Sequence, residues 1–575
     1  MQISKINISN FRGIKSAEIL LEGHTVFIGD NNAGKSTILE ALDLVLGPDR
    51  LSRTPVIDEH DFYAGNYISE STPIEIVIEV VITDLNSEQK RKFKNHIEFW
   101  DTKKLQLVDE PPAETVDEPQ ITEALRVCFR GKYDDDEDDF TGETTYCHPE
   151  REDLAFSTFS KKDKRNCGFL YLRALRTGSR ALSLERGSLL DIILKIRELR
   201  PKMWEDILTK LRATTVADDP SVGVQEVLEG VQKSLKEFVP ADWGSEPHLK
   251  VTDLTRENLR KTLNVFMSTG SDDYFAPFHH QGTGTVNTMV LALLSMIAEM
   301  KDTVIFAMEE PEIAIPPYTQ KRIVNIIRKK ANQAIFTSHS PFVLEEFAPE
   351  QICLIHRTKG KVFSNSLTLP AHIKPKMYRS EFRLRFAEAL LAKRVLIAEG
   401  STEATAYSAV AKRAEELKPD KYSSLEALGV AIFDAGTETM IATYGSYFKT
   451  LKKQVFAVFD KQTDDNLEKI KENVNHHYEI PYKGFEKLII EEVAGEAKRR
   501  FLLSIVENEE WPRHLKDIEP SEDSSDDDID AALMKYLKGV KGAASAADLL
   551  GQCGIIELPK SLRKTILDIK DKVVM

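Results

Sequence analysis

Gly29-Asp30-Asn31-Asn32-Ala33-Gly34-Lys35-Ser36-Thr37 matches the phosphate-binding loop G-x-x-x-x-G-K-[ST] at every fixed position. Just before it, Thr25-Val26-Phe27-Ile28 is a short apolar run that predicts a buried strand. Just after it, apolar residues recur at helical spacing from Ser36 to Leu46, and Gly47-Pro48 ends the helix. Because such a loop points backbone N–H groups and a helix N-terminus at an anion, the stretch predicts a nucleotide site.

Residue types within the loop predict the individual contacts. Lys35 is expected to reach the β- and γ-phosphates of ATP, and Ser36 is expected to ligate Mg²⁺. The other loop residues predicted to bind the nucleotide are Gly29, Asn32, Gly34 and Thr37. A chance glycine turn is the alternative interpretation, and the strand before the loop and the helix after it argue against that alternative.

The composition is that of a soluble globular protein. A chain of 575 residues suggests about three or four domains, and 42% hydrophobic with 29% charged residues are ordinary values. The net charge of −15 argues against a uniformly basic surface that coats nucleic acid, but it leaves room for a local basic groove. Scattered cysteines, and the lack of a signal peptide or a long apolar segment, predict a cytoplasmic protein without membrane contact.

A glycine-rich turn farther along the chain predicts a second anion site. His279-His280-Gln281-Gly282-Thr283-Gly284-Thr285 precedes a long apolar helix predicted from Val286 to Met300. Gly282 and Gly284 are therefore expected at a helix N-terminus, which can bind an anion. A plain helix-capping turn is the better interpretation of this segment alone, but its position downstream of the phosphate loop favours the anion site.

Paired acids end the next predicted strand. The run from Thr303 to Met308 leads into Glu309-Glu310-Pro311-Glu312. Glu309 is expected to hold the Mg²⁺ shell, and Glu310 to orient or deprotonate the attacking water. Ala334 to Thr337 predicts another buried strand, and His339 just beyond it is placed to sense the γ-phosphate, although a lone histidine is more often structural.

Two further strand ends carry carboxylates in the last third of the chain. Arg394 to Ala398 predicts a strand that runs into Glu399, and Val455 to Phe459 predicts a second strand that runs into Asp460. Helical and strand-like runs alternate between them, which predicts a small parallel α/β domain. Ligands of such sheets gather at the carboxyl ends of the strands. Acids that merely cap strand ends are the alternative.

Three other segments give structural predictions. Residues 181–265 carry helical spacing without a clear strand-like run, which predicts a helical insertion used for subunit contact. A basic cluster near residue 370 suits either contact with a phosphate backbone or a solvated amphipathic helix. Its members and the aromatic residues between them are Lys374, Lys376, Tyr378, Arg379, Phe382, Arg383, Arg385 and Phe386. The acidic, serine-rich residues 521–530 predict a flexible loop.

Taken in order, these motifs resemble the OLD (overcoming lysogenization defect) family of bacterial nucleases, which joins an ABC-type ATPase to a Toprim domain. The resemblance covers nearly the whole chain, and the motifs that carry it are Asn-Phe-Arg-Gly, the phosphate loop, Gly-Thr-Gly-Thr, Glu-Glu-Pro-Glu, Ser-His-Ser-Pro and Leu-Ile-Ala-Glu-Gly-x-x-Glu. It implies an α/β fold with an ABC/SMC-like ATPase at residues 1–180 and 266–370. A helical insertion used for dimerisation would occupy residues 181–265, and a Toprim domain residues 371–575.

The resemblance also implies roles for single residues. Arg12 resembles a phosphate contact of SMC/RecF-type ATPases, and the turn from Gly282 to Gly284 resembles one that caps the γ-phosphate held by an opposite subunit. The Toprim resemblance implies DNA cleavage with Mg²⁺ or Mn²⁺, whose hard oxygen ligands are carboxylates. The residues assigned to the metal are Glu399, Glu403, Asp460 and Glu486, and the residue assigned to charge on the phosphate is Lys541.

The sequence departs from the family pattern at two places. Toprim domains usually carry Asp-x-Asp, but Gln462 stands where the second acid is expected, with Asp464 or Asp465 as a shifted substitute. The loop after the paired acids reads Ile315-Pro316-Pro317, where relatives often have His-Pro. Because that histidine is missing, we expect nucleotide to act more as a regulator than as a fuel.

Together these observations predict a DNA endonuclease or nickase whose Toprim domain cuts while the ATPase regulates cleavage. We expect a homodimer or higher homo-oligomer that binds DNA and acts in anti-phage defence. By the resemblance, its partner is a UvrD-type helicase, as in Gabija, or a retron reverse transcriptase with its DNA. The alternatives are a RecF-like, ATP-switched DNA-binding clamp with a degenerate Toprim domain, and a scaffold that contributes no chemistry.

Overall fold

The computed structural model describes most of the chain. The described positions are 1–48, 50–52, 55–69, 72–108, 120–148, 156–172, 182–185, 188–213, 224–238, 255–268, 275–282, 286, 289, 290, 292, 293, 296, 297, 299, 304–313, 315–369, 378, 386–539 and 544–574. Gly284, Lys541 and the basic residues of the cluster near residue 370 lie outside them.

The described residues form a mixed sheet and a parallel sheet together with α-helices, which confirms the predicted α/β fold class. The strands are β1 (Gln2–Phe11), β2 (Ile14–Leu20), β3 (Thr25–Ile28), β4 (Ile68–Ser69), β5 (Thr72–Pro73), β6 (Ile76–Thr83), β7 (Ile97–Asp101), β8 (Gln106–Val108), β9 (Ile121–Asp134), β10 (Asp139–Tyr146), β11 (Phe169–Leu172), β12 (Phe266–Ser268), β13 (Phe275–Pro277), β14 (Ile305–Glu309), β15 (Gln333–Thr337), β16 (Ile352–Thr358), β17 (Lys361–Ser366), β18 (Arg394–Ala398), β19 (Val430–Asp434), β20 (Gln454–Phe459) and β21 (His476–Glu479).

The α-helices of the described residues follow in the same order. They are α1 (Lys35–Leu46), α2 (Ser87–Lys92), α3 (Lys161–Asn166), α4 (Leu189–Ile196), α5 (Arg200–Ala213), α6 (Val224–Phe238), α7 (Arg256–Thr262), α8 (Pro317–Lys330), α9 (Pro341–Leu344), α10 (Ala387–Leu391), α11 (Ser401–Leu417), α12 (Ile441–Thr450), α13 (Asp464–Asn473), α14 (Phe485–Glu492), α15 (Gly495–Glu507), α16 (Asp526–Gly539), α17 (Ala544–Gln552) and α18 (Lys560–Val574). Within the described positions, no helix is both long and apolar enough to cross a membrane.

The chain forms two compact units: Met1–Thr25 with Ser36–Ser338, and Val26–Lys35 with His339–Met575. In the first unit, antiparallel strands lie in the order β2-β1-β6-β9-β7-β8, and β10 also pairs with β9. The register of β1 and β6 sets Ile6 opposite Val80, and both side chains are buried. Apolar and polar residues alternate along these strands, so one set of side chains faces the core.

A parallel part of the first unit carries the predicted paired acids. Its strands lie in the order β11-β14-β15, with Tyr171 beside Ala307 and Ala307 beside Ile335. The apolar run of β14 is buried, as expected for a central parallel strand. Because parallel strands end at the same edge, Glu309 and Thr337 lie side by side at the carboxyl ends.

In the second unit, β3 pairs in parallel with β16, and β16 pairs antiparallel with β17. This unit also contains a sheet of parallel strands in the order β19-β18-β20-β21. One face of that sheet packs on α11 and α14–α18 through a single apolar core. Representative members of this core are Leu396, Val410, Leu488, Leu533 and Leu562.

Aromatic rings pack near the edge strand of the same sheet. Phe386 stacks edge-on with Phe433 of β19 at 5.2 Å, and Phe433 with Tyr444 of α12 at 4.6 Å between ring centroids. Tyr378 lies 5.1 Å from Phe386. Tyr378 and Phe386 are buried, so they belong to the protein core and are not available to stack on nucleic-acid bases.

The prediction of a flexible loop at residues 521–530 is wrong for its second half, because α16 begins at Asp526. The Asp528 N–H donates to Oγ of Ser525 at 3.2 Å, and the Ser525 N–H donates to the Asp528 carboxylate at 3.2 Å. This is a capping box, and three aspartates in the first turn suit the positive end of the helix dipole. The serine and aspartate residues whose composition predicted a flexible loop therefore begin a helix.

Candidate nucleotide and metal sites

The phosphate loop lies between β3 and α1 and has the backbone shape that its glycines predict. Gly29 and Gly34 have φ angles of 143° and 105°. A Cβ on Gly29 would lie 2.2 Å from the carbonyl oxygen of Ile355, so only glycine fits there. Asn32 also has a left-handed φ, of 70°, a conformation that asparagine tolerates better than most residues.

Lys35 turns back over this loop. Its buried ammonium donates hydrogen bonds to the carbonyl oxygens of Gly29 at 2.8 Å and Asp30 at 2.9 Å. Ser36 is exposed and Thr37 is half-buried in the first turn of α1. The nucleotide contacts of these side chains stay predictions.

Arg12 lies between two carboxylates. Its φ is 50°, its Nε donates to Oδ1 of Asp61 at 2.7 Å, and its guanidinium also pairs with Glu40 of α1. A cavity of about 390 Å³ adjoins it. The charged and histidine side chains that line this cavity are Arg12, Arg50, Asp58, His60 and Asp61. A phosphate contact by Arg12 stays a prediction, and neither acidic partner was predicted from the sequence.

The predicted metal acid Glu309 has a partner on the neighbouring strand. Tyr171 of β11 donates a hydrogen bond from its hydroxyl to Oε1 of Glu309 at the end of β14. Both side chains are half-buried. The contact fixes one oxygen of the carboxylate and was not predicted from the sequence.

Glu310 holds a left-handed backbone, with a φ of 41°. Its N–H donates to the carbonyl oxygen of Thr337 at 2.9 Å, which ties the turn to the end of β15. A non-glycine residue in this region is uncommon, and such strain clusters at functional sites. The strain therefore lies at the residue predicted to activate water.

The segment after β15 carries His339, the predicted γ-phosphate sensor, and contacts another acid, Glu312. Ser338 is buried, and its hydroxyl donates to Oε2 of Glu312 at 2.9 Å. His339 follows it and is half-buried. Ser340 caps α9 by accepting from the Phe342 N–H at 3.2 Å. Sensing of the γ-phosphate by His339 stays a prediction.

The glycine-rich turn is only partly described. The Gly282 carbonyl oxygen accepts from the Val286 N–H at 3.2 Å, which is the bond that starts a helical turn. Gly284 and most of the predicted helix from Val286 to Met300 lie outside the described residues. An anion site there stays a prediction.

The predicted metal acids come from two strand ends and two helix starts. Glu399 follows β18 and Asp460 follows β20, which are adjacent parallel strands. Glu403 lies in the first turn of α11 and Glu486 in the first turn of α14. All four side chains are half-buried. Lys541 lies outside the described residues.

Backbone N–H groups hold two of these carboxylates. The Asp460 N–H donates to Oε2 of Glu399 at 3.1 Å, and the Gly484 N–H donates to Oδ2 of Asp460 at 2.6 Å. Gly484 has a φ of 99°, a conformation that favours glycine. The strand-end acids are thus connected to each other and to the start of α14.

Burial, and the charges of neighbouring acids, raise the pKa values of Glu399, Glu403 and Asp460. Burial, and then the charges of Asp460, Glu399 and Glu486, raise the pKa of Glu403 to about 7. Burial is also the first cause of the raised pKa of Glu399, with the charge of Asp460 adding to it. The pKa of Asp460 is raised first by burial and then by the charge of Glu486. Like charges act this way only when they are close together.

Two features of this cluster fit a divalent cation. The acids offer hard oxygen ligands, and Oδ1 of Asp460 is buried with no hydrogen-bond partner among the described residues. A cation would compensate such an oxygen. However, no three His, Cys, Asp or Glu side chains in the described part of the chain lie close enough together to hold a metal ion. The acids converge on one sheet edge without forming a closed cage.

Glu438 adds a carboxylate that was not predicted from the sequence. It opens a short 3₁₀ helix just beyond Asp434, the last residue of β19. Its charge contributes to the raised pKa of both Glu399 and Asp460. The sequence signal near it is the apolar run of β19 that ends in Asp434, like the runs that end at Glu399 and Asp460.

Comparison with models of protein families supports the two-part organisation. Residues 1–344 match the model of the AAA ATPase domain. Residues 390–461 match the model described as overcoming lysogenization defect protein-like, TOPRIM domain. The second match includes Glu399, Glu403 and Asp460, and the predicted resemblance is confirmed.

Three similar proteins each align with most of the chain at 22% identity. Old nuclease of Escherichia phage P2 aligns with 73% of this chain and 72% of its own length. Endonuclease GajA of Bacillus cereus (strain VD045) aligns with 73% of this chain and 69% of its own length. OLD nuclease of Thermus scotoductus (strain ATCC 700910 / SA-01) aligns with 80% of this chain and 82% of its own length.

Proposed function

We propose that this chain is a metal-dependent DNA endonuclease or nickase regulated by nucleotide. It belongs to the AAA ATPase domain family and carries an OLD-like TOPRIM domain. The observation that supports this most is the convergence of carboxylates at adjacent strand ends, with a buried oxygen of Asp460 left unpartnered among the described residues. Similarity to proteins named Old nuclease and endonuclease GajA supports the same activity.

In the proposed reaction, the acids of the TOPRIM domain hold Mg²⁺ or Mn²⁺ against a DNA phosphodiester. A bound divalent cation supplies Lewis-acid activation of the phosphate and a more acidic water. The N–H groups of Asp460 and Gly484 orient the carboxylates of Glu399 and Asp460 for this role. The residues proposed to hold the ion are Glu399, Glu403, Asp460 and Glu486, with Lys541 on the phosphate.

The proposed regulator is ATP. Lys35 and Ser36 would bind its phosphates and Mg²⁺, Glu309 would complete the Mg²⁺ shell, and Glu310 and His339 would act at the γ-phosphate. Pro316 is the N-cap of α8 and Pro317 is its first residue, where relatives often have a histidine. The missing histidine favours slow hydrolysis of ATP. Cleavage of DNA would then be controlled by whether ATP is bound.

We also propose that residues 181–265 join subunits of a homodimer or higher homo-oligomer. Apolar residues of α6 recur at alternating intervals of four and three, at Val224, Leu228, Val231, Leu235 and Phe238. This is the spacing of a helix that packs along another helix. Val231 of this stripe is 44% exposed, and the adjacent Val227 is 65% exposed, so these two valines offer apolar surface to a partner.

A second candidate function is an ATP-switched DNA clamp with a degenerate TOPRIM domain. Gln462 in place of an acid, and the open arrangement of the carboxylates, favour it. We place the favoured function, a nuclease, in anti-phage defence beside a UvrD-type helicase or a retron reverse transcriptase, as the resemblance to the OLD family implies.

Cleavage of supercoiled plasmid DNA by the full-length protein separates the two functions. With Mg²⁺ or Mn²⁺, the wild type is expected to nick or linearise the plasmid, and Glu399→Ala is expected to leave it intact. Glu507→Ala changes an exposed acid of α15 and is the matched control. Plasmid that stays supercoiled with the wild type, alone or with its partner, while DNA binding still responds to ATP, would favour the clamp.

A further inference from the structure

Gln462 occupies the position where the Toprim pattern places a second acid, two residues beyond Asp460. Its side-chain nitrogen donates hydrogen bonds to the carbonyl oxygen of Asp460 at 3.0 Å and to Oε2 of Glu399 at 3.4 Å. Its side-chain oxygen accepts from Nδ2 of Asn466 at 2.7 Å. Both ends of the amide are therefore engaged.

The neighbours of this amide determine its orientation. A backbone carbonyl and a carboxylate only accept hydrogen bonds, so the nitrogen end has to face Asp460 and Glu399. The oxygen end is held by Asn466 of α13. Gln462 thus presents donors to the acid cluster, and donors do not ligate a cation.

The shifted acids do not take over this position. Asp464 and Asp465 are exposed in the first turn of α13, where negative charge stabilises the helix N-terminus. Glu479 is already used in another way, since its Oε1 accepts from the backbone N–H of Gln462 at 2.8 Å. The loop after β20 therefore supplies the cluster with the carboxylate of Asp460 and with an amide.

We propose that Gln462 is a positioning residue for Glu399, and that the TOPRIM site of this chain binds one divalent cation where an Asp-x-Asp site binds two. The inference rests on the proposed function. Two close cations require carboxylate oxygens that face both of them. Here Oε2 of Glu399 faces the Gln462 amide and the Asp460 N–H instead. Only its other oxygen would be left to hold an ion, and Gln462 would position Glu399 for that role as an outer-shell partner does.

Titration with Mn²⁺ alone counts the divalent cations bound at the TOPRIM site and needs no assay of DNA cleavage. The full-length chain carries Lys35→Ala and no nucleotide is added, so that the phosphate loop contributes no ATP-bound ion. Electron paramagnetic resonance measures free Mn²⁺, and the bound Mn²⁺ follows by difference. The number of ions at the TOPRIM site is the number that is no longer bound when Glu399→Ala is added. The expected result is one ion per chain. Gln462→Asp is expected to add a second ion with the broadened signal of a coupled Mn²⁺ pair.

The positioning role has its own readout. Gln462→Met keeps the length of the side chain but removes both donors, and we expect the single ion to bind about 10- to 100-fold more weakly, as for other outer-shell partners. Gln552→Ala changes an exposed glutamine at the end of α17 and is expected to bind Mn²⁺ as the parent does. Thermal unfolding midpoints matched to the parent establish that the variants are folded.

The possible failures are distinguishable. Two ions lost on Glu399→Ala in the parent, or a single ion retained in Gln462→Asp, would overturn the one-ion inference while the proposed nuclease stands. Unchanged affinity in Gln462→Met would overturn the positioning role. If Glu399→Ala removes no ion at all, both the inference and the metal-dependent function fail.

Discussion

The hydroxyl of Tyr171 donates a hydrogen bond to the carboxylate of Glu309, from β11 to the end of the adjacent parallel strand β14. One carboxylate oxygen is thereby fixed and the other is directed, as outer-shell partners direct metal ligands. Tyr171→Phe removes only the hydroxyl. We expect the Mg²⁺ concentration for half-maximal binding of a fluorescent ATP analogue to rise about 10-fold.

Tyr318→Phe provides the control for this change, because Tyr318 is 78% exposed at the start of α8. It is expected to leave the Mg²⁺ dependence unchanged. Equal Mg²⁺ dependence in Tyr171→Phe and the wild type would show that the hydroxyl does not position Glu309.

Lys164 gives a prediction about pH. Its buried ammonium donates to the carbonyl oxygen of Leu44, in the last turn of α1, at 3.0 Å, and to Oγ1 of Thr144 at 2.9 Å. Burial lowers its pKa from 10.5 to about 8. Between these values the unfolded chain holds the proton and the folded chain does not, so the free energy of unfolding rises with pH over this interval.

Lys164→Met removes this titration. The free energy of unfolding of the wild type minus that of Lys164→Met is expected to rise by about 3 kcal/mol between pH 8 and pH 10.5, since one pKa unit corresponds to about 1.4 kcal/mol. Urea unfolding at several pH values measures it. Lys162→Met changes an exposed lysine of the same helix and is expected to give a flat difference. A flat difference for Lys164→Met too would contradict the lowered pKa.

The parts of the site that could be predicted from the sequence have local signals. The phosphate loop combines fixed glycines with a strand before it and a helix after it. Glu309, Glu399 and Asp460 each follow directly after an apolar run, so the strand and its acid are found together. Carboxyl ends of parallel strands then meet at one sheet edge, which brought Glu399 and Asp460 together as expected.

The parts that were missed depend on contacts between distant segments. Tyr171 and Glu309 are 138 residues apart, and Arg12 and Asp61 are 49 residues apart. Each pair needs the strand order and the register, which residue spacing within one segment does not specify. Glu438 was missed because its strand end was not recognised. The Gln462 contacts were missed because an amide was considered only as a lost acid.

The apolar stripe of α6 predicts an effect on assembly. Val231 lies in the stripe and is 44% exposed, so Val231→Glu places a charge where a partner helix is proposed to pack. We expect the oligomer to dissociate at concentrations at which the wild type is associated, because an unpaired charge is costly in an apolar interface. Sedimentation velocity measures this, and Lys233→Glu, at an exposed position of α6, is the control. Identical sedimentation of Val231→Glu and the wild type would exclude this stripe from the interface.

Gly29 tests the shape of the phosphate loop. A Cβ there would lie 2.2 Å from the Ile355 carbonyl oxygen, and the φ of 143° is itself unfavourable for alanine. Gly29→Ala is therefore expected to weaken ATP binding by at least about 10-fold, which corresponds to about 1.4 kcal/mol of displaced backbone contacts. Equilibrium binding of the fluorescent ATP analogue measures it.

Gly551→Ala is the matched control for Gly29→Ala. Gly551 lies in α17, and a Cβ there would meet no atom of the described residues within 4 Å. Alanine in a helix is favoured over glycine by up to about 1 kcal/mol, so this variant is expected to be no less stable than the wild type and to bind ATP equally well. If Gly29→Ala also binds ATP normally, the loop is not the nucleotide site.

Substitutions at Glu310 test its chemical role and its backbone strain separately. Glu310→Gln keeps the side-chain shape and removes the carboxylate, so we expect ATP hydrolysis in single turnover to fall by at least about 100-fold, the contribution typical of a general base, while ATP still binds. Glu310→Ala and Glu310→Gly both lack the side chain, but glycine accepts the φ of 41° without strain. The glycine variant is therefore expected to be more stable than the alanine variant by about 1 kcal/mol. Equal unfolding midpoints for these two would mean that the turn relaxes, and the left-handed backbone at Glu310 would then not be imposed by its hydrogen bond to Thr337.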